Sequence, residues 1–127
     1  MSHVHIPSNA LVLVGDGRKA LFLRNKGTPR AVELIVEREL RQDNSRTAIG
    51  KTDWHDRAEE KFASEIAATL YEMEHSQKFD ELVVVAPPKM LGDLRAAFHP
   101  EVADCVVAEV PKDLTAHPVP ELAKVLS

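Results

Sequence analysis

The chain is short of cysteine, glycine and aromatic side chains, and it has no long apolar run. A single cysteine among 127 residues rules out an internal disulfide. Cys105 stands in an apolar run, which reads as a small buried hydrophobe in a reducing compartment, with a reactive or intermolecular thiol as the alternative. The five glycines form neither a Gly-x-Gly-x-x-Gly fingerprint nor a phosphate loop, and Gly15-x-Gly17 alone is an ordinary turn. The longest apolar stretches, Ala10 to Val14 and Leu82 to Pro88, fall far short of the roughly 20 residues that span a bilayer, so no membrane crossing is expected. Met1 to Asn9 lacks both the basic and the apolar region of a secretory signal, and the chain reads as cytoplasmic.

What is present is an ordinary globular composition. Apolar residues make up 44% and charged residues 28%, which disfavours disorder, collagen-like repetition and coiled coil. A chain of this size buries roughly two thirds of its unfolded surface, enough for one core. Residues 1–127 are therefore expected to form a single domain.

Net charge is −4, but it is unevenly spread. Residues 1–57 carry 10 Lys and Arg against 7 Asp and Glu, and residues 58–127 carry 6 against 13. Between positions 17 and 32 stand Arg18, Lys19, Arg24, Lys26 and Arg30 with no acid, a local field that suits phosphate. A solvated hairpin is the plainer reading. The stretch has no aromatic residue for stacking on bases except Phe22, which the strand pattern buries.

The hydrophobic periodicity divides the chain into alternating elements. Ala10 to Val14 and Ala20 to Leu23 flank Gly15-Asp16-Gly17 and read as a hairpin. Residues 32–41 alternate, with Val32, Leu34, Val36 and Leu40 on one face and Glu33, Glu37, Glu39 and Arg41 on the other, as in a half-buried edge strand. Residues 42–55 follow neither period and read as a long polar loop. Asp56 with Glu59 forms a helix-start pattern, and Phe62, Ile66, Leu70 and Met73 form the buried stripe of a long helix. Leu82 to Ala86 is apolar throughout, as in a central strand covered on both faces. Met90, Leu91, Leu94, Ala97 and Phe98 mark another helix, Cys105 to Val110 a further strand, and a short helix starts near Pro118 to Pro120.

The order β-β-β-α-β-α-β-α predicts an α/β fold, a ribonuclease H-like mixed five-stranded sheet of spatial order 3-2-1-4-5 with covering helices. In such a sheet the default ligand position is the crevice beyond the carboxyl ends of the first and fourth strands. Three polar corners are expected there: Gly15-Asp16-Gly17-Arg18, Pro88-Lys89 at a helix start, and Lys112-Asp113-Leu114-Thr115. Asp16, Arg18, Lys89, Lys112, Asp113 and Thr115 are the candidate ligand-binding residues. The plainer reading makes Asp113 and Thr115 caps of a turn and Asp16 the closure of the hairpin. Two-metal hydrolysis requires clustered carboxylates, and no acid stands at Ala86-Pro87-Pro88. His3, His5, His55, His75, His99 and His117 have no recognised metal-ligand spacing, so neither a metal nor a cofactor is expected. Trp54 is either a partner anchor or packed under the long helix.

Asp16-Gly17-Arg18-Lys19-Ala20, Ala58 to Ala63, Leu82 to Gly92 and Lys112-Asp113-Leu114-Thr115 resemble the bacterial host-attachment protein family over nearly the whole chain. The resemblance implies a part in attachment of bacteria to host cells. The element order is also similar to the middle domain of archaeal and eukaryotic class 1 peptide-chain release factors, whose corresponding loop carries Gly-Gly-Gln. Here that loop has Thr47-Ala48-Ile49-Gly50-Lys51, and Gln42 has no paired glycines. This likeness implies the fold and ribosome or RNA contact without the hydrolytic motif.

The leading expectation is a cytoplasmic, non-enzymatic binding protein that acts on attachment indirectly through an unidentified protein partner. The alternative is a ribosome- or RNA-associated protein using Arg18, Lys19, Arg24, Lys26, Arg46 and Lys51 on phosphates. A third reading is an enzyme acting on a small anion at Asp16, Lys89, Asp113 and Thr115.

Overall fold

The computed structural model describes residues 5–42, 53–76 and 78–126, with the side chains of 58–76 in the second segment. Five strands form one sheet: β1 (Leu11–Gly15), β2 (Lys19–Asn25), β3 (Leu34–Arg41), β4 (Leu82–Val85) and β5 (Val106–Val110). Their spatial order is β3-β2-β1-β4-β5, as the sequence predicts. β1 pairs antiparallel with β2 and parallel with β4, and β4 pairs parallel with β5. The helices are α1 (Asp53–His75), α2 (Pro88–Ala97), the single turn α3 (Pro100–Ala103) and α4 (Val119–Leu126).

Period-2 alternation splits the central strands between two cores. Leu11, Leu13, Phe22, Leu82 and Val84 pack with Phe62, Ile66 and Leu70 of α1 and with Met90 and Leu94 of α2. Val12, Val14, Leu23, Val83 and Val85 pack on the other face with Ile6 and with Leu122 and Leu126 of α4. Each fully buried Leu or Phe contributes about 1.5–3 kcal/mol. Two covered faces explain why β1 and β4 are apolar without a break.

Four details differ from the sequence expectation. The alternation of β3 is interrupted: Leu23 pairs with Val36 and Phe22 with Arg38, so Glu37 is an extra residue in a bulge. Leu34 therefore joins the α4-side core while Leu40 packs against the α1-side core, and Val36 stays exposed. The long helix begins at Asp53, three residues before the Asp56 pattern. Asp53-Trp54-His55 contains no proline or glycine, and adding a turn to an established helix costs little. β5 starts at Val106, leaving Cys105 in the preceding turn and half-buried. A further helical turn, α3, stands where Pro100 ends the Met90-to-Phe98 pattern.

Candidate functional site

β1, β3, β4 and β5 all run the same way, so Gly15, Arg41, Val85 and Val110 end at one edge of the sheet. The three polar corners of the sequence emerge there. Asp16 follows β1, Lys89 lies in the first turn of α2 after β4, and Lys112 to Thr115 follow β5.

The first corner is a two-residue turn closed by Asp16. Its backbone N–H donates to the Lys19 carbonyl at 2.9 Å. Its Oδ1 accepts from the Arg18 and Lys19 N–H groups at 2.7 and 2.8 Å. A short carboxylate answering the next two turn amides is the reason Asp suits this position. The other oxygen, Oδ2, accepts from the Thr115 hydroxyl at 2.8 Å, joining the first corner to the third.

Thr115 is buried, and its hydroxyl also lies 2.9 Å from Asp113 Oδ1, which accepts the Thr115 N–H at 3.2 Å. One hydroxyl hydrogen thus serves two carboxylate oxygens. Arg18 and Lys112, by contrast, are exposed on either side of this joint. Asp16, Asp113 and Thr115 come together by direct contact, and Arg18 and Lys112 flank them in sequence.

Lys89 is reached through a residue that the candidate set omits. Its Nζ lies 2.8 Å from Asp93 Oδ2 and 3.7 Å from Glu59 Oε1. The Glu59 side chain is seated against Gly17, where a Cβ would stand 2.6 Å from Oε2. Glu59 thus does not act as the return half of a capping box; it connects α1, α2 and the Asp16 turn. Gln42 is the second omission, donating from Nε2 to the Gly17 carbonyl at 2.6 Å. The sequence singled out Glu59 only as part of the Asp56 helix-start pattern, and nothing local in the sequence couples Gln42 to a turn 25 residues earlier.

The basic run at 17–32 does not form one patch. Arg18 and Lys19 stand at the crevice edge, and Arg24 and Lys26 at the opposite end of β2, about 20 Å away at the usual rise per residue. The Arg24 guanidinium is buried, donating to the Glu37 carboxylate at 3.0 and 3.2 Å and to the Asn9 carbonyl at 3.1 Å. Arg46 and Lys51 lie outside the described residues, as do the side chain of Trp54 and most of the 42–55 stretch. Among the described residues no group of three or more His, Cys, Asp or Glu side chains is arranged to hold a metal ion. No helix among them is long and apolar enough to cross a membrane.

Fold and geometry together define an α/β protein with a polar corner beyond the ends of β1 and β5. The chain belongs to the family described as "Protein required for attachment to host cells", which it matches over residues 11–126. No curated protein matches it. Among solved structures it is similar to one described as "Archaeal protein", 14% identical with a TM-score of 0.50, over 82% of this chain and 30% of that one. It is also similar to Dom34 of S. cerevisiae, described as a translation termination-like factor involved in RNA quality control pathways and interacting with Hbs1. That chain is 12% identical with a TM-score of 0.44, over 88% of this chain and 32% of that one. The chain spans less than a third of the length of either structure, and at 14% identity the archaeal protein shows a shared fold alone.

Proposed function

We propose that this member of the host-attachment family is a cytoplasmic, non-enzymatic binding protein that influences attachment through a protein partner. The crevice edge is its contact surface. Asp16, Asp113 and Thr115 set the shape of that surface, and Arg18, Lys89 and Lys112 supply charge to it.

The observation that supports this reading is the state of Thr115. A hydroxyl nucleophile needs a free line of approach to substrate and a base placed to take its proton. The Thr115 hydroxyl is buried and engaged with Asp16 and Asp113, so it ties two loops together. The exposed Arg18 and Lys112 beside it are the cationic side chains that meet a ligand, with Lys89 already held by Asp93 and Glu59.

Crosslinking with mass spectrometry in intact cells tests the reading. The expected result is a discrete protein crosslinked near Arg18 and Lys112, lost in the Arg18→Glu, Lys112→Glu double variant. Crosslinks to ribosomal components, with co-sedimentation that weakens steeply as salt rises, would instead favour the RNA-associated alternative. Turnover of phosphoesters or acyl esters by the pure protein, abolished by Asp113→Ala, would overturn the non-enzymatic reading.

A further inference from the structure

We propose that the outer edge of β3 docks an extended peptide segment of a partner protein, one that places acidic residues beside Arg38 and Arg41 and an apolar residue beside Ile35 and Val36. This assignment rests on the binding reading above and extends it to a second contact surface that adjoins the first at Arg18.

β3 has eight residues, the longest strand of the sheet, and among the described residues only β2 pairs with it. The backbone groups along the free side of an edge strand form a template for one more strand. Every residue from Ile35 to Glu39 is exposed. Ile35 and Val36 keep 47% and 42% of their surface in solvent, and they are adjacent, so their side chains flank an added strand from opposite faces. The other edge of the sheet differs. β5 has five residues, and Val107 is its one large exposed apolar side chain, standing at a register shift beside a Glu109 already paired with Arg95.

Charge along β3 indicates what the added strand carries. Glu37 is taken by Arg24, and Glu39 lies 2.7 Å from Arg41. Among the described residues none makes an ion pair with the Arg38 side chain. Lys19 stands directly opposite Arg41 across the ladder, so two cations share the single carboxylate of Glu39 at this end. Arg18 follows at the same end. The carboxyl half of β3 therefore has a surplus of positive charge, and an acidic side chain on an incoming strand relieves it.

The same pattern favours a peptide over a nucleic acid. Arg38 and Arg41 are separated by Glu39 and Leu40, and Ile35 and Val36 carry no charge, so the edge has no continuous row of cations for a backbone that carries a charge on every unit. A peptide places its acids at selected positions with apolar residues between. Phe22, the aromatic residue of the adjoining strand, is buried and presents no stacking surface. A second copy of β3 is the other strand that fits this edge, and it is an outcome of the test: a full chain that sediments as a dimer paired through β3 assigns the edge to self-association and overturns the proposal.

The test is selection from a random-peptide library on the full chain, followed by hydrogen exchange of the complex with the enriched peptide. The expected peptides combine Asp or Glu with Val, Ile or Leu, and backbone amides of residues 34–41 exchange about tenfold more slowly when the peptide is bound. Arg38→Glu with Arg41→Glu is expected to weaken binding by about tenfold or more. Both side chains are exposed, and circular dichroism checks that the variant keeps its fold. Failure to enrich any peptide overturns the assignment, and so do enriched peptides that lack acids. Protection confined to the Arg18 and Lys112 rim overturns it too, while leaving the binding reading intact. Tighter binding of a homopolymeric RNA that protects β3 assigns the edge to nucleic acid and likewise overturns it.

Discussion

The Thr115 hydroxyl donates to the Asp16 carboxylate at 2.8 Å although 99 residues of chain separate them. This bond ties the first hairpin turn to the loop after the last strand, so it reports the assembled sheet and not any local element. Thr115→Val keeps the side-chain volume and removes the donor from the half-buried Asp16 carboxylate and the exposed Asp113 carboxylate. The expected loss of stability is about 1–2 kcal/mol by urea denaturation, with Thr115→Ser retaining most of it. Equal stability of the Val variant and the wild type would show that the joint is incidental.

Asn25 is a second long-range tie, at the opposite end of the sheet. Its Nδ2 donates to the Ile6 carbonyl at 3.0 Å, and its Oδ1 accepts from the Gly27 and Glu33 N–H groups at 2.9 and 3.0 Å. Asn25→Ala leaves those three backbone groups without their partner at a buried position. A loss of about 2–4 kcal/mol is expected. Asn25→Asp is expected to be no better, since it turns an oxygen towards the Ile6 carbonyl.

Arg24 and Glu37 illustrate how a bulge is used. The extra residue in β3 brings its carboxylate onto a buried guanidinium, and a double-mutant cycle measures the coupling. Glu37→Ala alone is expected to cost about 1 kcal/mol, held to the low end because the carboxylate reaches solvent. Glu37→Ala combined with Arg24→Met should cost less than the two single changes added together, because no buried charge is then left behind. Simple additivity would mean that the pair is not coupled.

Cys105 is half-buried, and burial pushes its thiol above the usual thiol range, with Glu74, Asp80 and Asp104 adding to the same direction. Each of these disfavours the thiolate, which is the reacting form. Alkylation by iodoacetamide at pH 8 is therefore expected to be slower than for free cysteine, with the rate still rising at pH values where free cysteine has levelled off. Glu74→Gln should move the profile towards lower pH. A plateau at or below that of free cysteine would contradict the assignment.

The elements themselves were legible from local pattern. The unbroken apolar runs of β1 and β4, the helical stripe of Phe62, Ile66, Leu70 and Met73, and the prolines after β4 and β5 fixed five strands and their order, because burial periodicity and chain connectivity leave few arrangements. Three corners at one sheet edge follow from that topology. Pattern alone misjudged the start of α1, since a capping motif marks where a helix is able to begin and not where propagation stops.

Other features required the folded chain. The bulge at Glu37 moves Leu40 to the opposite face from Leu34 and brings Glu37 onto the buried Arg24, a cross-strand contact that the local pattern of β3 does not contain. Glu59 and Gln42 meet at Gly17 from distant parts of the sequence, and Asp16 meets Thr115 in the same way. Residue type and spacing determined which elements form and which faces are apolar, because those depend on neighbours a few positions away. Which charges are paired, and which are left facing outward, depends on through-space distances that only tertiary packing sets.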